Sequence, residues 1–282
     1  MAGRGKWLAN AIYYSLMVLS AAIFLIPLFW MATNAIRPEY EIVQQPARWI
    51  PKTFSLVHFQ YVLSRFHFLR WMFNSLWVAL AATTLVVILD AMAAFALARF
   101  EFTGRRFIFN LILSMLLVPI QVGIVPLFLL MAQLHWLDTY TALILPTCAN
   151  VTGVFLLRQF FANIPKELEE AAYIDGASPF LVWWAIILPL ARPALAAVAA
   201  ITFVSSWNSF LWPLIVANSD EVKTLPVGVA QFMSASSGTS GSAPAYGPPL
   251  AGAMMATLPA LLAFLILQRY FVQGITSSGV KG

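Results

Sequence analysis

The groups able to do chemistry are few in this sequence. Among 282 residues there are eleven carboxylates, three histidines and one cysteine. His58, His67 and His135 show neither metal-ligand spacing nor a nucleophile–base arrangement. No Gly-rich loop of the G-x-x-x-x-G-K-[S/T] kind is present to cradle a nucleotide phosphate. Cys148 is the single cysteine; it can form no intrachain disulfide and reads as a small buried hydrophobe. One stretch does concentrate charge: Glu167, Glu169, Glu170 and Asp175 fall within nine residues. Carboxylates so placed make charge-assisted contacts with the Lys or Arg of a partner.

The elements that must present those acids are legible. Asn163 is expected to N-cap a short helix, with Pro165 in its first turn, where a missing N–H costs nothing. The three glutamates then lie near the helix's positive end. Asp175-Gly176 supplies a stop, and Ser178-Pro179 restarts a second helix as N-cap and first residue. Leu188-Pro189 and Pro193 mark a turn into the next apolar run. The reading is a helix–turn–helix elbow with a small-residue patch at Ala171 and Ala172. An amphipathic loop lying on a membrane surface would look similar, but an acidic helix suits an anionic leaflet badly. A protein partner fits better.

Around the elbow the chain is built for lipid. It is 61% hydrophobic and only 10% charged, with a mean hydropathy of +0.82, whereas soluble domains carry about 25% charged residues. Apolar runs at 12–33, 73–98, 107–131, 140–157, 193–217 and 250–271 reach the roughly 20 residues a spanning helix needs. They predict an all-α membrane protein, one domain over 1–282, with six spans. The first run is read as an uncleaved anchor, being too long for a signal peptide. Ten of the sixteen Lys and Arg residues fall on the side of the termini and of the 158–192 loop, which places both termini and that loop in the cytoplasm. Loops 34–72 and 218–249 are then external, the first an ordered cap with Trp49 and Trp71 at the interface. The net charge of +5 follows from this bias; no basic run with interleaved aromatics points to nucleic acid.

Spans three to five carry Pro119, Gln121, Gly123, Pro126, Pro146, Asn150, Trp207, Asn208 and Pro213. Such breaks suit helices that line a water-filled path, and equally plain kinks in a packed bundle. Asn150, Trp207, Asn208 and Trp212 are the candidate path residues by side-chain type. Asp90 is the lone acid within a span, read as a hydrogen-bonding structural group near Arg99.

With these residues placed, Glu170-Ala171-Ala172, three residues, Gly176, nine residues, Ile186, one residue and Leu188-Pro189 resemble the EAA loop of importer permeases of the ATP-binding-cassette superfamily. The segments at 155–165, 207–214, 223–232 and 268–282 are similar to the carbohydrate, maltose-type branch. Similarity extends from roughly the first span to the last residue. The Gly/Ser-rich stretch 234–249 departs from it, being longer than usual. The resemblance implies a type I importer permease fold in the inner membrane of a prokaryote, carrying a sugar or related solute. It implies as partners a second related permease, two ATPase subunits that bind ATP and magnesium in place of this chain, an external substrate-binding protein and membrane lipid. Glu170, Ala171, Ala172, Asp175 and Gly176 would form the ATPase-coupling site, and 277–282 would extend toward the ATPases. This chain would be no enzyme and hold no metal. The rival class is an ion-coupled secondary transporter, which tends to need paired intramembrane ionisable groups; only Asp90 is offered.

Overall fold

The computed structural model describes residues 2–46, 48–236 and 245–279, and among them every regular element is helical. In chain order these are α1 (Ala2–Ala35), α2 (Glu39–Ile42), α3 (Val57–Arg65), α4 (Phe68–Arg99), α5 (Arg105–Ser114), α6 (Ile120–Gln133), α7 (Tyr140–Ile144) and α8 (Val151–Ala162). There follow α9 (Glu167–Ile174), α10 (Pro179–Val182), α11 (Leu188–Leu190), α12 (Arg192–Trp207), α13 (Leu211–Val216), α14 (Leu225–Ser236) and α15 (Gly247–Gly279). Residues 237–244 of the Gly/Ser-rich stretch and 280–282 of the tail lie outside the described residues.

Among the described residues, three helical segments are long and apolar enough to cross a bilayer unaided: Asn10–Ala35, Phe68–Arg99 and Gly247–Ile266. Three further candidates are bent pairs: Arg105–Leu117 with Ile120–Gln133 at 101°, Tyr140–Thr147 with Val151–Ala162 at 42°, and Pro179–Leu190 with Arg192–Trp207 at 80°. Proline sets the first bend and reshapes the helix ahead of the third. Pro119 drives Val118 to extended backbone (φ −89°, ψ 117°), as a residue before proline must be. Pro189 has no N–H to give, and the turn before it widens to a π-helix over Trp183–Ile187, in which the Leu188 N–H reaches back to the Trp183 carbonyl. The run 193–217 is not one helix. It ends at Asn208, whose side-chain amide donates to the Val204 carbonyl at 2.9 Å, and resumes at α13.

The chain divides into two compact units. One comprises Met1–Phe68 and Val229–Thr257. There the segment after α1 is ordered around Arg37, which is 1% exposed and donates to the carbonyls of Thr33, Arg48 and Trp49. Glu39 caps α15 from a distance, accepting from the N–H groups of Tyr246 and Gly247 at 2.6 and 2.9 Å.

The other unit comprises Leu69–Gly228 and Leu258–Gly282. Its larger core packs Val86 and Phe95 of α4 against Leu157 and Phe161 of α8, Val182, Trp183 and Ile187 of the elbow, and Val198 of α12. At the opposite end of α4, Asn74 donates to the Glu221 and Lys223 carbonyls, each at 2.9 Å, and the Ser75 hydroxyl accepts from the Leu225 N–H. Asp138 accepts from the N–H groups of Asn218 and Ser219. The connection 218–224 is thereby fixed to the helix starts beneath it.

Candidate functional site

The elbow between α8 and α12 forms much as its residues dictate, with one correction. Asn163 does not cap α9. It closes α8 instead, its N–H donating to Phe160 and its side-chain amide to Gln159. The apolar run of α8 carries that helix through to Ala162, Pro165 blocks its continuation, and α9 begins only at Glu167 behind Lys166.

The turn after α9 is a complete Schellman motif. Gly176 stands at φ +86°; its N–H bonds the Tyr173 carbonyl at 3.0 Å, and the Ala177 N–H bonds the Ala172 carbonyl at 2.9 Å. The positive φ is what demands glycine at this position. Ser178 then caps α10, its hydroxyl accepting from the Leu181 N–H, with Pro179 first in the helix. Two short helices are thus joined by a turn with little freedom.

Burial sorts the expected coupling residues. Ala172 packs, with Ala177, against the larger core, whereas Glu170, Ala171, Asp175 and Gly176 are exposed. Beside them lie large apolar side chains facing outward: Ile174 (86% exposed), Phe180 (66%), Trp184 (62%) and Leu168 (46%). Exposed acidic and large apolar side chains together, on two short helices joined by a tight turn, are the make-up of a surface that a protein partner covers.

One residue before Glu170 the environment reverses. Glu169 is buried and pairs with the Arg99 guanidinium, Nε to Oε1 at 2.5 Å, both side chains being 5–6% exposed. Arg99 also donates from Nη2 to the Ile164 carbonyl at 2.7 Å. The last turn of α4 thus grips the elbow at its entry and on its first helix. Burial pushes the Glu169 carboxyl above its ordinary value, against the pull of Arg99 and then Lys166. Tyr173 is raised by burial and then by the Glu169 charge. A surface pocket of about 450 Å³ opens here, with Arg99, Lys166, Glu169, Glu170 and Tyr173 in its wall. Sequence reading missed this pair because 70 positions separate its members; the available signal was phase. Glu169 lies three residues before Ala172, which packs on the core side of α9.

The four path candidates are not joined to one another by any hydrogen bond or ring contact among the described residues. Trp207 is buried, its ring 6.1 Å from that of Phe203. Asn208 is exposed at the end of α12. Trp212 donates to the Ala142 carbonyl at 2.8 Å in the smaller core. Asn150 caps α8, its side chain accepting from the Thr152 N–H at 2.8 Å.

Asp90 joins Asn150 at that break. Its Oδ1 accepts from the Asn150 N–H at 3.0 Å, and it does not reach Arg99, which is engaged with Glu169. Gly153 lies so close that a Cβ there would collide with the Asp90 carboxylate. No group of three or more His, Cys, Asp or Glu side chains able to hold a metal occurs among the described residues.

Comparison with known proteins agrees with this architecture. A family profile described as "Binding-protein-dependent transport system inner membrane component" matches residues 90–277. The arabinooligosaccharides transport system permease protein AraQ of Halalkalibacterium halodurans is 37% identical, over 93% of each chain. The lactose transport system permease protein LacG of Rhizobium radiobacter is 33% identical, over 96% of each. The sn-glycerol-3-phosphate transport system permease protein UgpE of Escherichia coli is 33% identical, over 94% of this chain and 95% of its own. Among solved structures, a chain of a bacterial ABC transporter that imports the acidic polysaccharide alginate superposes with a TM-score of 0.82 at 22% identity, covering 95% of this chain and 98% of that one.

Proposed function

Because the chain belongs to the binding-protein-dependent transport system inner membrane component family, we propose that it is one permease of an ATP-driven importer for an oligosaccharide or related solute. Its elbow is the seat of a partner ATPase. The fold is that of an importer permease and the chain is a multi-pass inner-membrane component. In this reading both termini and the elbow face the cytoplasm, as the distribution of Lys and Arg favours. A second permease, two ATPases that bind ATP and magnesium, and an external binding protein complete the assembly. The cargo class rests on relatives whose names specify arabinooligosaccharides, lactose and glycerol 3-phosphate. Asn150, Trp207, Asn208 and Trp212 remain the residues proposed to line the path.

The observation that carries the reading is the exposed face at Glu170 and Ile174, set beside a turn closed by both Schellman hydrogen bonds, Gly176 N–H to Tyr173 and Ala177 N–H to Ala172. A stiff, short element is what rigid-body transmission requires. Closure of the ATPases would push the elbow, and Arg99 would pass that displacement to α4. The Glu170 carboxylate is assigned a charge-assisted contact with an ATPase Arg or Lys. The test is co-purification of the ATPases, and sugar uptake in proteoliposomes, for wild type and for Glu170→Lys. The variant is expected to insert normally, lose the ATPases on washing and import nothing. Full ATPase retention with full uptake would remove the elbow from the mechanism.

A further inference from the structure

The junction of α4, α5 and α8 carries a concentration of positive charge that the coupling mechanism does not use. Arg105, Arg106 and Arg158 line a groove of about 690 Å³, with Glu101 the one acid in its wall. None of the three arginines has an acidic partner within 4 Å among the described residues. Arg105 spends its hydrogen bonds on the carbonyls that end α4, those of Leu97, Ala98 and Phe100, so its position is fixed while its charge stays unneutralised. Arg158 lies with its guanidinium 4.7 Å over the Phe109 ring. It gives one bond to Gln159, and its Nε is buried without an acceptor. Arg106 is exposed.

Two further features lean the same way. The first turn of α5 holds two arginines and no acid, and no side chain caps it. Cations at the positive end of a helix are unfavourable unless an anion answers them. From this turn an exposed apolar stripe then runs along the span at four-residue intervals: Phe107 (71% exposed), Leu111 (49%) and Met115 (57%).

From this juxtaposition we infer that the groove binds the phosphate of an anionic phospholipid, with an acyl chain lying along Phe107, Leu111 and Met115. The amphiphile is chosen over a free phosphate by the stripe, which gives an inorganic ion nothing. Arg106, with no side-chain hydrogen bond among the described residues, and Arg158, with one, have the most donor capacity left for phosphate oxygens, and guanidinium groups suit such oxygens well. The inference rests on the orientation proposed above, which sets this junction at the cytoplasmic leaflet, where anionic lipids draw basic groups. The ligand would brace the loop between α4 and α5, whose Glu101 also lines the Arg99 pocket.

The experiment uses the assembled complex purified in detergent and stripped of lipid. It is titrated separately with short-chain phosphatidylglycerol, short-chain phosphatidylcholine and inorganic phosphate, and adducts on this chain are read by native mass spectrometry. Phosphatidylglycerol should bind more tightly than phosphatidylcholine, and millimolar inorganic phosphate should not displace it. Arg106→Gln with Arg158→Gln should weaken the phosphatidylglycerol adduct about 30-fold, and Arg106→Gln alone about 5-fold, with phosphatidylcholine unaffected. The single exposed change also serves if the double variant folds poorly. Equal binding of the two lipids, displacement by inorganic phosphate, or unchanged binding in Arg106→Gln would each overturn the assignment. So would loss of the ATPases from Arg106→Gln with its lipid intact, which would make the groove a protein contact. Glu170→Lys, purified without the ATPases it sheds, should keep the lipid adduct on this chain, so failure here and failure of the elbow reading are separate results.

Discussion

Breaking the buried pair between Arg99 and Glu169 should loosen the elbow from α4 in an asymmetric way. Both side chains are 5–6% exposed, so removing one partner strands a charge in a poor environment. Such removals cost about 3–5 kcal/mol in full burial. The low end, about 3 kcal/mol, applies here because the adjoining 450 Å³ pocket lets water reach the vacated group. Arg99→Leu also loses the 2.7 Å bond to the Ile164 carbonyl. It leaves, however, a carboxylate that can escape by binding a proton. Glu169→Leu leaves a guanidinium that has no such escape.

The pH dependence follows from the direction of the Glu169 shift. Its folded value already lies above the ordinary one, and without Arg99 it must rise further. Such a group costs stability above its folded pKa, and the cost fades as pH falls toward the unfolded value. Lowering the pH from 8 toward 5 should therefore recover part of the Arg99→Leu loss and none of the Glu169→Leu loss. The double variant, with two apolar side chains in contact, should cost less than either loss added to the other, by about 2 kcal/mol. The assay is unfolding in mixed micelles of dodecyl maltoside and SDS, run as a double-mutant cycle at two pH values. Strictly additive single losses, or an Arg99→Leu loss that grows on acidification, would refute the reasoning.

Further outcomes can be measured in the same preparations. Gly176→Val places a β-branched residue at φ +86° with no atom within 4 Å of the new Cβ; strain alone should cost about 1–3 kcal/mol and disable uptake, while Gly176→Asn, tolerant of that region, should retain most of it. Gly153→Ala drives a methyl group into the Asp90 carboxylate and should destabilise the chain by about 1–3 kcal/mol; Asp90→Ala on that background should relieve part of the loss in thermal unfolding. For topology, a Cys148→Ala background carrying Leu168→Cys should resist a membrane-impermeant thiol reagent applied to intact cells. Glu221→Cys should react with it, and the reverse pattern would invert the proposed orientation.

The local devices of the elbow were legible because each depends on neighbours in sequence. Asp175-Gly176 reads as a helix stop and Ser178-Pro179 as a start whatever surrounds them, and both hold. The breaks near Pro119 and Pro146 were visible for the same reason, since proline restricts its own φ and the residue before it. Asn163 misled because its capping tendency lost to the apolar face of α8, which buries Leu157 and Phe161 and carries the helix onward. The break in span five was marked by Asn208 and Pro213, although hydropathy alone registers 193–217 as one apolar run. Least legible were partners distant in the chain: Glu169 with Arg99, Asp90 with the Asn150 N–H, and Trp212 with the Ala142 carbonyl. Such pairings are set by how helices pack, and residue type alone leaves every Trp and Asn in a broken span an equal candidate for the path.

The central claim, that the elbow seats an ATPase, is tested most directly by placing a photo-crosslinking amino acid at Ile174, which is 86% exposed at the tip of α9. The same substitution at Glu221, tied to the opposite end of α4, serves as the comparison. Irradiation of the complex in native membranes should join Ile174 to the ATPase subunit and leave the ATPase free at Glu221. An absence of ATPase adducts at Ile174, or their appearance at Glu221, would contradict the account.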